Sequence, residues 1–597
     1  MRFRSQPTDG YVIHAVSGIN TISFAIDATG ANTAGLLGFA VERVDPAASE
    51  QYFMYGFKVF RSVIPVPTKE MVVSTRDHPI QSFVWDDFTA KPAHTYTYRF
   101  HPLKGKPKNI DRSAAAISIE VRTEPLFTNG PHDVFFNRGV ASSQAYERRF
   151  GNQRPDLLQP PSKRQEALHW LSRDLDNALL RFIANAKAGD GLLCCFYEFR
   201  YDPVVDALKK AIDDGVDVQL VIDAKVNEHT DKDGTFHESF PRVENLAAIQ
   251  RAGIPAARVQ QREAKPNDIQ HNKFMVLLEG AARTPVEVWT GSTNISMGGI
   301  HGQTNVGHWV RDAAVAARFQ AYWELLKGDP GGKAGDAVAV VRNKNEDFKK
   351  AVEALGPVPK DLAGIAPGTT PVFSPRRGSS VLDLYFQLVD EAGRLACITL
   401  AFGINKSFKT RLQDNTASSA IAFFLLEKQD KPTKANQNTF VFIGAKQNIY
   451  KAWGSFLREP LHQWAKETSA GGLGLNTHVS FIHSKFLLRD PLGPDPLVVT
   501  GSANFSDAST NDNDENMLAI RGDRRAADIY FTEFNRLFNH YYFRAVQENP
   551  HARTTAATAA NLFLDETGKT WIKKYEPGNF RAKRVAIYAG MSGATVA

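Results

Sequence analysis

The chain has 597 residues, of which 43% are hydrophobic and 23% charged, so it can bury the cores of two or three domains. No stretch reaches the roughly 20 apolar residues of a membrane-spanning helix, which excludes an integral membrane protein. An excess of 71 Lys and Arg over 64 Asp and Glu gives a net charge of +7, a mild preference for an anionic partner.

The N-terminus and the cysteines indicate the compartment. The first residues lack the apolar core and cleavage site of a secretory signal, so we predict a cytoplasmic protein, with a non-classical secretion route left open. The cysteines, Cys194, Cys195 and Cys397, form neither a disulfide framework nor a CxxC zinc pattern. No cluster of metal ligands is recognisable, so we expect neither a metal nor another cofactor.

The first 125 residues have the pattern of an all-β domain. Residues 95–100 and 117–122 alternate apolar and polar side chains, as strands with one buried face do. Turn-rich pieces separate these runs, and no amphipathic helix is recognisable. We predict an antiparallel β-sandwich of immunoglobulin or fibronectin type.

From about residue 126 the pattern changes to alternating strands and helices. Residues 192–199 are a continuous apolar run, residues 204–212 have helical spacing, and residues 216–222 form the next strand. This βαβ unit predicts an α/β fold with a largely parallel core. A second apolar run, at 396–402, opens another half, which ends in an amphipathic helix with Asp523 as its N-cap.

The stretch from residue 225 to residue 270 is polar. It contains Asp231-Lys232-Asp233-Gly234, which resembles the start of a calcium loop but lacks the later ligands. We expect a solvated loop, with a lid over a site as the alternative.

Isolated histidines are interpreted conservatively. His229, His237, His301 and His308 are expected to be hydrogen-bonded core residues, and His478 is a minor candidate for a direct role.

An internal repeat is the most informative feature. Residues 269–274 read IQHNKF and residues 481–486 read FIHSKF. Each is followed by a Thr-Gly-Ser-x-Asn-x-Ser segment, beginning at Thr290 and at Thr500. The gap from His to Gly is 20 residues in one copy and 18 in the other, so chance is a poor explanation.

The two copies resemble the HxKxxxxD…GSxN motifs of the phospholipase D superfamily. The second copy matches fully, through His483, Lys485, Asp490, Gly501, Ser502 and Asn504. The first matches through His271, Lys273, Gly291, Ser292 and Asn294, but Leu278 occupies the Asp position. That Asp is often structural in the family, so we expect catalysis to survive its loss and assign Asp490 a structural role.

The resemblance covers roughly residues 130–548 and implies a monomer with two pseudo-symmetric halves. The expected units along the chain are the β-sandwich (1–125), the first phospholipase D-like half (126–335), a crossover (336–375), the second half (376–548), and a C-terminal extension packing on the second half (549–597).

The residue types suit phosphodiester cleavage. Alternation in His-x-Lys places both side chains on one face of a strand, so both can reach one phosphate. Lys273 and Lys485 are expected to neutralise the phosphoryl oxygens, with Asn294, Asn504, Ser292 and Ser502 as further phosphate-binding donors. No metal is needed for this chemistry.

The resemblance also implies a two-step mechanism. One histidine attacks phosphorus to form a phosphohistidine, while the other protonates the leaving oxygen and later activates water. In the family an acidic residue downstream of one GSxN orients the histidine of the other half. Glu515 would thus orient His271, and its counterpart Asn305 would orient His483. Because a carboxylate raises imidazole basicity more than an amide does, we predict that His271 is the nucleophile.

The substrate is a phosphodiester of undetermined class. The superfamily includes phospholipases, phosphatidyl-transfer synthases, nucleases and tyrosyl-DNA phosphodiesterases. Two motifs in one chain give a slight preference for a phospholipid or similar small phosphodiester, by hydrolysis or transfer. The basic composition keeps a nuclease acting on the DNA or RNA backbone as the alternative. A non-catalytic binding scaffold is the second alternative.

Overall fold

The computed structural model describes residues 1–28, 30–67, 71–139, 144–151, 153–401, 403–412, 420–427, 448–453, 482–547 and 562–597. His478 lies outside these residues. Within them, no helix combines the length and the apolar character needed to span a membrane.

The N-terminal region consists of strands in two facing sheets. Its strands are β1 (Arg2–Arg4), β2 (Tyr11–Ser17), β3 (Ile22–Ala28), β4 (Leu36–Asp45), β5 (Glu50–Phe53), β6 (Tyr55–Gly56), β7 (Val73–Ser74), β8 (Val84–Asp87), β9 (Thr95–Lys106), β10 (Asn109–Asp111) and β11 (Ile117–Arg122). One sheet has the order β1-β2-β3-β8, and the other has the order β10-β9-β4-β5 with β11 also on β9. Phe24 of the first sheet and Tyr98 of the second belong to one hydrophobic cluster. The immunoglobulin or fibronectin topology stays a prediction.

The first α/β half follows. Its strands are β12 (His132–Phe136), β13 (Gly191–Phe196), β14 (Asp217–Asp223), β15 (His229–Thr230), β16 (Phe236–His237), β17 (Val259–Arg262), β18 (Lys273–Glu279), β19 (Thr284–Gly291) and β20 (Val306–Arg311). Its helices are α1 (Gln144–Phe150), α2 (Pro161–Ser172), α3 (Leu175–Asn185), α4 (Asp202–Asp213), α5 (Arg242–Ala252) and α6 (Ala313–Lys327). The predicted βαβ unit is present, because β13 and β14 are parallel and α4 connects them.

The second half repeats this plan. Its strands are β21 (Gly368–Ser374), β22 (Leu395–Leu400), β23 (Ile421–Leu426), β24 (Ile449–Trp453), β25 (Phe486–Arg489), β26 (Leu497–Gly501) and β27 (Glu515–Arg521). Its described helices are α7 (Val338–Ala354), α8 (Ser380–Asp390), α9 (Lys406–Leu412), α10 (Asp507–Asn511) and α11 (Arg524–Gln547). Helix α7 and strand β21 lie inside the stretch predicted as the crossover, and β21 pairs with β27.

The two halves have the same sheet topology. The first sheet has the order β12-β20-β19-β18-β13-β14-β17, and the second has the order β21-β27-β26-β25-β22-β23-β24. In each sheet two strand pairs are parallel and the others antiparallel. The expectation of a largely parallel core is therefore wrong. The parallel pair β13–β14 is connected through helix α4, whereas β18 and β19, which follow the first His-x-Lys motif, are joined directly as an antiparallel hairpin.

Helix α11 connects the three regions. The carboxylate of Asp523 accepts the amide of Ala526 at 2.8 Å, so the predicted N-cap is present. Glu533 of this helix pairs with Arg173 of the first half at 2.6 Å. Asp528, one turn earlier, pairs with Arg2 of β1 at 2.8 Å. Both ion pairs are buried, so the helix holds the N-terminal sheets and the first half together.

The C-terminal segment contacts more than the second half. Its elements are α12 (Lys569–Lys573), α13 (Phe580–Ala589) and β28 (Thr595–Val596). Tyr588 packs in the cluster that includes second-half strands, but Trp571 belongs to the N-terminal cluster. Strand β28 extends the first N-terminal sheet by pairing with β1. The segment thus joins the N-terminal sheets to the second half.

Candidate active site

The two His-x-Lys segments meet where the halves join. The backbone amide of His271 donates to the Asp514 carbonyl of the second half at 2.9 Å. By the same geometry, the amide of His483 donates to the Thr304 carbonyl of the first half at 3.2 Å. His271 lies just before β18 and is held by Asp514, the residue before β27. His483 lies just before β25 and is held by Thr304, just before β20. The site is therefore formed jointly by both sheets.

The two imidazoles lie next to each other, edge to face. The ring centroids of His271 and His483 are 6.3 Å apart, with an interplanar angle of 73°. The two residues are 6% and 3% exposed, and Lys273 and Lys485 are each 1% exposed. The predicted histidines and lysines thus converge in one buried pocket.

Each imidazole is held by a residue of the opposite half, in the pairing that the resemblance implied. Nδ1 of His271 lies 2.9 and 3.0 Å from the carboxylate oxygens of Glu515. Nδ1 of His483 lies 2.8 Å from Oδ1 of Asn305. The Asn305 oxygen accepts, so Nδ1 of His483 carries a proton, and Nδ1 of His271 does the same when Glu515 is ionised. In both rings Nε2 is then the nitrogen available for chemistry.

The orientation of the Asn305 amide is fixed by its neighbours. Its Nδ2 donates to the Gly299 carbonyl at 2.8 Å, within the π-helical turn Gly298–Gly302. Its Oδ1 also accepts from the Ser292 hydroxyl at 2.8 Å. The side chain therefore presents its oxygen to His483, which gives that ring a neutral partner where His271 has a carboxylate.

The two motif serines lie behind the imidazoles. The Ser292 hydroxyl bonds to Asn305 and accepts the amide of Val306 at 3.1 Å. The Ser502 hydroxyl accepts the amide of Asn516 at 3.0 Å, and a hydrogen bond from Ser502 lowers the pKa of Glu515. Each hydroxyl thus fixes the group that orients a histidine, and the phosphate-binding role of the two serines stays a prediction.

The motif glycines allow adjacent strands to approach closely. A Cβ on Gly291, which has φ of +136°, would lie 2.2 Å from the Val306 carbonyl oxygen. A Cβ on Gly501 would lie 2.2 Å from the carbonyl oxygen of Asn516. A larger residue at either position would displace the strand that carries Asn305 or Glu515.

The two lysines are fixed by their own loops. Nζ of Lys273 donates to the carbonyl of His271 at 2.6 Å, and Nζ of Lys485 donates to the carbonyl of His483 at 2.5 Å. Burial lowers the pKa of Lys273 to about 7 and the pKa of Lys485 well below its usual range. The pocket thus disfavours cations until an anion enters it.

Burial also shifts the histidines and their acidic partner. It lowers the pKa of both His271 and His483, and the neighbouring lysines lower them further. Burial raises the pKa of Glu515 to about 8, although Lys273 and Lys485 oppose this shift. An anionic phosphate between the lysines would reverse the shifts of the basic groups, because it favours their charged forms.

Among the described residues, the two motif asparagines each keep a buried polar atom without a partner. Nδ2 of Asn294 donates to Oε1 of Glu198 at 2.6 Å. Within the described part of the chain, Oδ1 of Asn294 and Oδ1 of Asn504 are buried without a hydrogen-bond partner. These two oxygens mark positions that a substrate or a water can satisfy.

Asp490 has a structural place. Its carboxylate accepts the amides of Gly393, Arg394 and Leu395 at 2.7, 2.7 and 3.0 Å, which fixes the start of β22. In the first half Leu278 is buried instead, and Asp190, just before β13, accepts the amide of Gly280 at 2.8 Å. In each half a carboxylate thus links two neighbouring strands, β13 with β18 or β22 with β25. In the first half the carboxylate precedes β13, whereas in the second half it follows β25.

Sequence reasoning missed Tyr197 and Glu198. The ring of Tyr197 lies 5.1 Å from that of His271 and 5.1 Å from Nζ of Lys273, and among the described residues its hydroxyl has no hydrogen-bond partner. Both residues directly follow the buried strand β13. Polar residues at the end of an apolar strand are the signal that could have identified them.

The isolated histidines divide into two classes. His301 and His308 are fully buried and hydrogen-bonded, as expected. His229 and His237 are not core residues: they lie on the β15–β16 hairpin, where their side chains are 45% and 22% exposed. Among the described residues, His229, Asp231 and His237 are the only group of three His, Cys, Asp or Glu side chains whose ligand atoms converge, and none belongs to the paired motifs.

Comparisons with known proteins agree with the paired motifs. Residues 179–326 and 432–538 match the family model described as "Cardiolipin synthase, PLD-like domain". No curated protein matches the chain.

The similar solved structures include three that match at low identity. The phosphatidylserine synthase of Haemophilus influenzae is 12% identical, with a TM-score of 0.40 over 70% of this chain and 93% of that one. The polyphosphate kinase of Porphyromonas gingivalis is 10% identical, with a TM-score of 0.35 over 59% of this chain and 46% of its own length. The phospholipase D family member Nuc of Salmonella typhimurium is 16% identical, with a TM-score of 0.21 over 29% of this chain and 95% of that one. The two matched segments, each carrying a GSxN motif of the repeat, are similar to the phospholipase D-like domain of that family model.

Proposed function

We propose that the protein is a phosphodiesterase that cleaves its substrate through a phosphohistidine on His271. The observation that carries this proposal is the pair of adjacent imidazoles, whose ring centroids are 6.3 Å apart and each of which is held at Nδ1 by a residue of the other half. Such a pair leaves two Nε2 atoms for one phosphoryl group: one to attack and one to exchange a proton.

The reaction proceeds in two balanced steps. Nε2 of neutral His271 donates its electron pair to phosphorus, the bond from phosphorus to the leaving oxygen breaks, and that oxygen takes the proton from Nε2 of His483. Water then attacks phosphorus and gives a proton to His483, and the phosphorus–nitrogen bond breaks with its electron pair returning to His271. The products are an alcohol and a phosphomonoester, and the enzyme is restored.

The neighbouring groups support these roles. Glu515 stabilises the positive charge that develops on His271 as the new bond forms. Asn305 offers His483 a neutral acceptor, so that ring releases its proton more readily than a carboxylate-paired ring would. Lys273 and Lys485 neutralise the charge of the phosphoryl oxygens, and the side chains of Asn294 and Asn504 are further phosphate-binding groups.

For the substrate we propose a phospholipid or a similar small phosphodiester. The family description names a phospholipid-forming enzyme, and both half-sites lie in one chain, as in phospholipases of the superfamily. Cleavage of a DNA or RNA backbone by the same two histidines is the alternative. We also propose that the protein acts as a cytoplasmic monomer, with an immunoglobulin- or fibronectin-like sandwich in front of the two halves.

A substrate panel in the presence of a chelator tests this function. It compares a choline-type phospholipid in mixed micelles, single- and double-stranded DNA, and bis(p-nitrophenyl) phosphate. We expect turnover of the lipid and the chromogenic ester, retained with chelator and lost in His271→Ala, His483→Ala and Lys485→Ala. Activity on DNA alone would replace the lipid proposal by the nuclease. A strict divalent-metal requirement would contradict the mechanism, and silence on the whole panel would favour a binding scaffold.

A further inference from the structure

The hairpin formed by β15 and β16 carries three potential metal ligands on one face. His229 and His237 are directly opposite each other in the antiparallel pairing. Asp231 follows His229 by two residues, directly after the end of β15, where the turn to β16 begins. The local backbone therefore brings the three side chains together.

The side-chain geometry agrees with this placement. Nε2 of His237 lies 2.8 Å from one carboxylate oxygen of Asp231, and Nε2 of His229 lies 3.3 Å from the other. The two imidazole rings are stacked with centroids 4.9 Å apart. One ligand atom from each of the three residues lies within 4.8 Å of the other two.

The turn holds this arrangement in place. The amide of Asp231 donates to the Thr235 carbonyl at 2.9 Å, and Gly234 adopts φ of +88°, which favours glycine. The carboxylate of Asp233 accepts the Thr235 amide at 3.0 Å, so this second aspartate caps the turn and leaves Asp231 to the histidines. Asp231 and Asp233, whose spacing resembles the start of a calcium loop, therefore have different partners: Asp231 contacts the histidines and Asp233 caps the turn.

We propose that His229, Asp231 and His237 bind a Zn²⁺ ion on this hairpin. Zinc takes imidazole nitrogens and carboxylate oxygens in tetrahedral sites, and water would supply the fourth ligand. Calcium fits less well, because it prefers six to eight oxygen ligands. The residues lie outside the paired His-x-Lys motifs, so the proposal does not depend on the phosphodiesterase and assigns the metal no step in it.

The bound ion would fasten a loop that borders the catalytic histidines. Phe240, just beyond the hairpin, packs edge-to-face against Tyr197 at 6.3 Å, and Tyr197 contacts His271. The Ser239 hydroxyl accepts the amides of Asn227 and Glu228 at 3.0 and 3.1 Å, which closes the base of the loop. Zinc would hold together the two strands at the tip of this loop, whose base is already closed by the Ser239 hydrogen bonds.

The test is a calorimetric Zn²⁺ titration of the full chain after treatment with a chelator and desalting. We expect one equivalent of zinc to bind the wild type. His229→Ala, His237→Ala and Asp231→Asn should each weaken binding by more than about tenfold, because losing a group that merely supports a ligand already costs about 10- to 100-fold. His169→Ala, at an exposed histidine of α2, is the matched control and should bind like the wild type.

Asp231→Asn separates metal binding from simple hydrogen bonding. An amide oxygen can still accept from a histidine, but it is a poorer zinc ligand than a carboxylate. As a second readout, zinc should slow trypsin cleavage after the exposed Lys232 in the wild type but not in the His229→Ala/His237→Ala double variant. If the double variant binds zinc with the wild-type affinity and stoichiometry, or if the wild type binds none, the proposal is wrong.

Discussion

Lys273 and Lys485 lie in a buried site that disfavours their charged forms until an anion is bound. Since burial lowers the pKa of Lys273 to about 7, a large share of this side chain is neutral in the free protein at pH 8. A bound phosphate analogue favours the ammonium form, so binding at pH 8 should take up protons from the solvent. Calorimetric titration of tungstate in two buffers of different ionisation enthalpy measures this uptake.

The control for proton uptake is Lys273→Met, which should take up fewer protons on binding.

The lowered pKa of Lys273 also predicts that kcat/KM falls above about pH 7, because Lys273 must be charged to receive the substrate. In the enzyme–substrate complex the phosphate raises the pKa values of the lysines and histidines. The alkaline limb of kcat should therefore lie at higher pH than that of kcat/KM, and coincident limbs with no proton uptake would contradict this account.

Glu515 provides a stability prediction that is independent of turnover. Burial raises its pKa from 4.5 to about 8, so the folded chain keeps a proton that the unfolded chain has already lost. Its contribution to the free energy of unfolding consequently declines as pH rises between these two values. Glu515→Gln cannot ionise and keeps an acceptor for His271, so its Tm should exceed that of the wild type at pH 8, with a smaller difference at pH 5.

The same variant should be a poor enzyme. Without the carboxylate, the charge that develops on His271 loses its partner, and kcat should fall by about 100-fold or more. Thermal unfolding at the two pH values and steady-state kinetics measure the two effects on one sample. A variant that is both less stable at pH 8 and fully active would show that Glu515 has neither role.

At the scale of elements, the close contact of β26 with β27 positions Glu515. Gly501→Ala would place a Cβ 2.2 Å from the carbonyl oxygen of Asn516, on the strand that begins with Glu515. We expect a lower Tm and a kcat reduced at least tenfold, the stability loss being about 1–3 kcal/mol as in other overpacked sites. Gly56→Ala is the matched control, because nothing lies within 4 Å of its Cβ position. Equal effects of the two changes on kcat would argue against strand spacing as the cause.

The sequence could predict the convergence of His271 and His483, because both copies of the motif are short local segments that can be recognised without knowing any long-range contact. It also predicted the βαβ unit, whose apolar run and helical spacing are local. It could not predict the hydroxyl contacts of Ser292 and Ser502, or the place of Tyr197. Those depend on which strand lies beside each residue, and strand pairing is not local information.

At the scale of the whole molecule, helix α11 links regions that are far apart in sequence. Glu533 is buried and pairs with Arg173 of the first half and with Arg536 of its own helix. Arg173→Met leaves this carboxylate with one cation fewer, and the loss of one partner of a buried pair costs about 3–5 kcal/mol. We therefore expect a clearly lower denaturant midpoint.

The control for Arg173→Met is Arg149→Met, which breaks an exposed pair with Glu166 and should change the free energy of unfolding by no more than about 1 kcal/mol. Circular dichroism with increasing urea measures both variants. If they unfold at the same midpoint, α11 does not hold the halves together through this ion pair.

The most direct test of the central claim is to trap the covalent intermediate. His483→Ala should still react with bis(p-nitrophenyl) phosphate, because p-nitrophenolate leaves without a proton, but it lacks the base that activates water. The expected result is a burst of one equivalent of p-nitrophenol and a stable phosphoenzyme. Mass spectrometry under alkaline conditions should locate the phosphoryl group on His271. A phosphoryl group on His483 in the wild type, or none on His271 in the variant, would contradict the account.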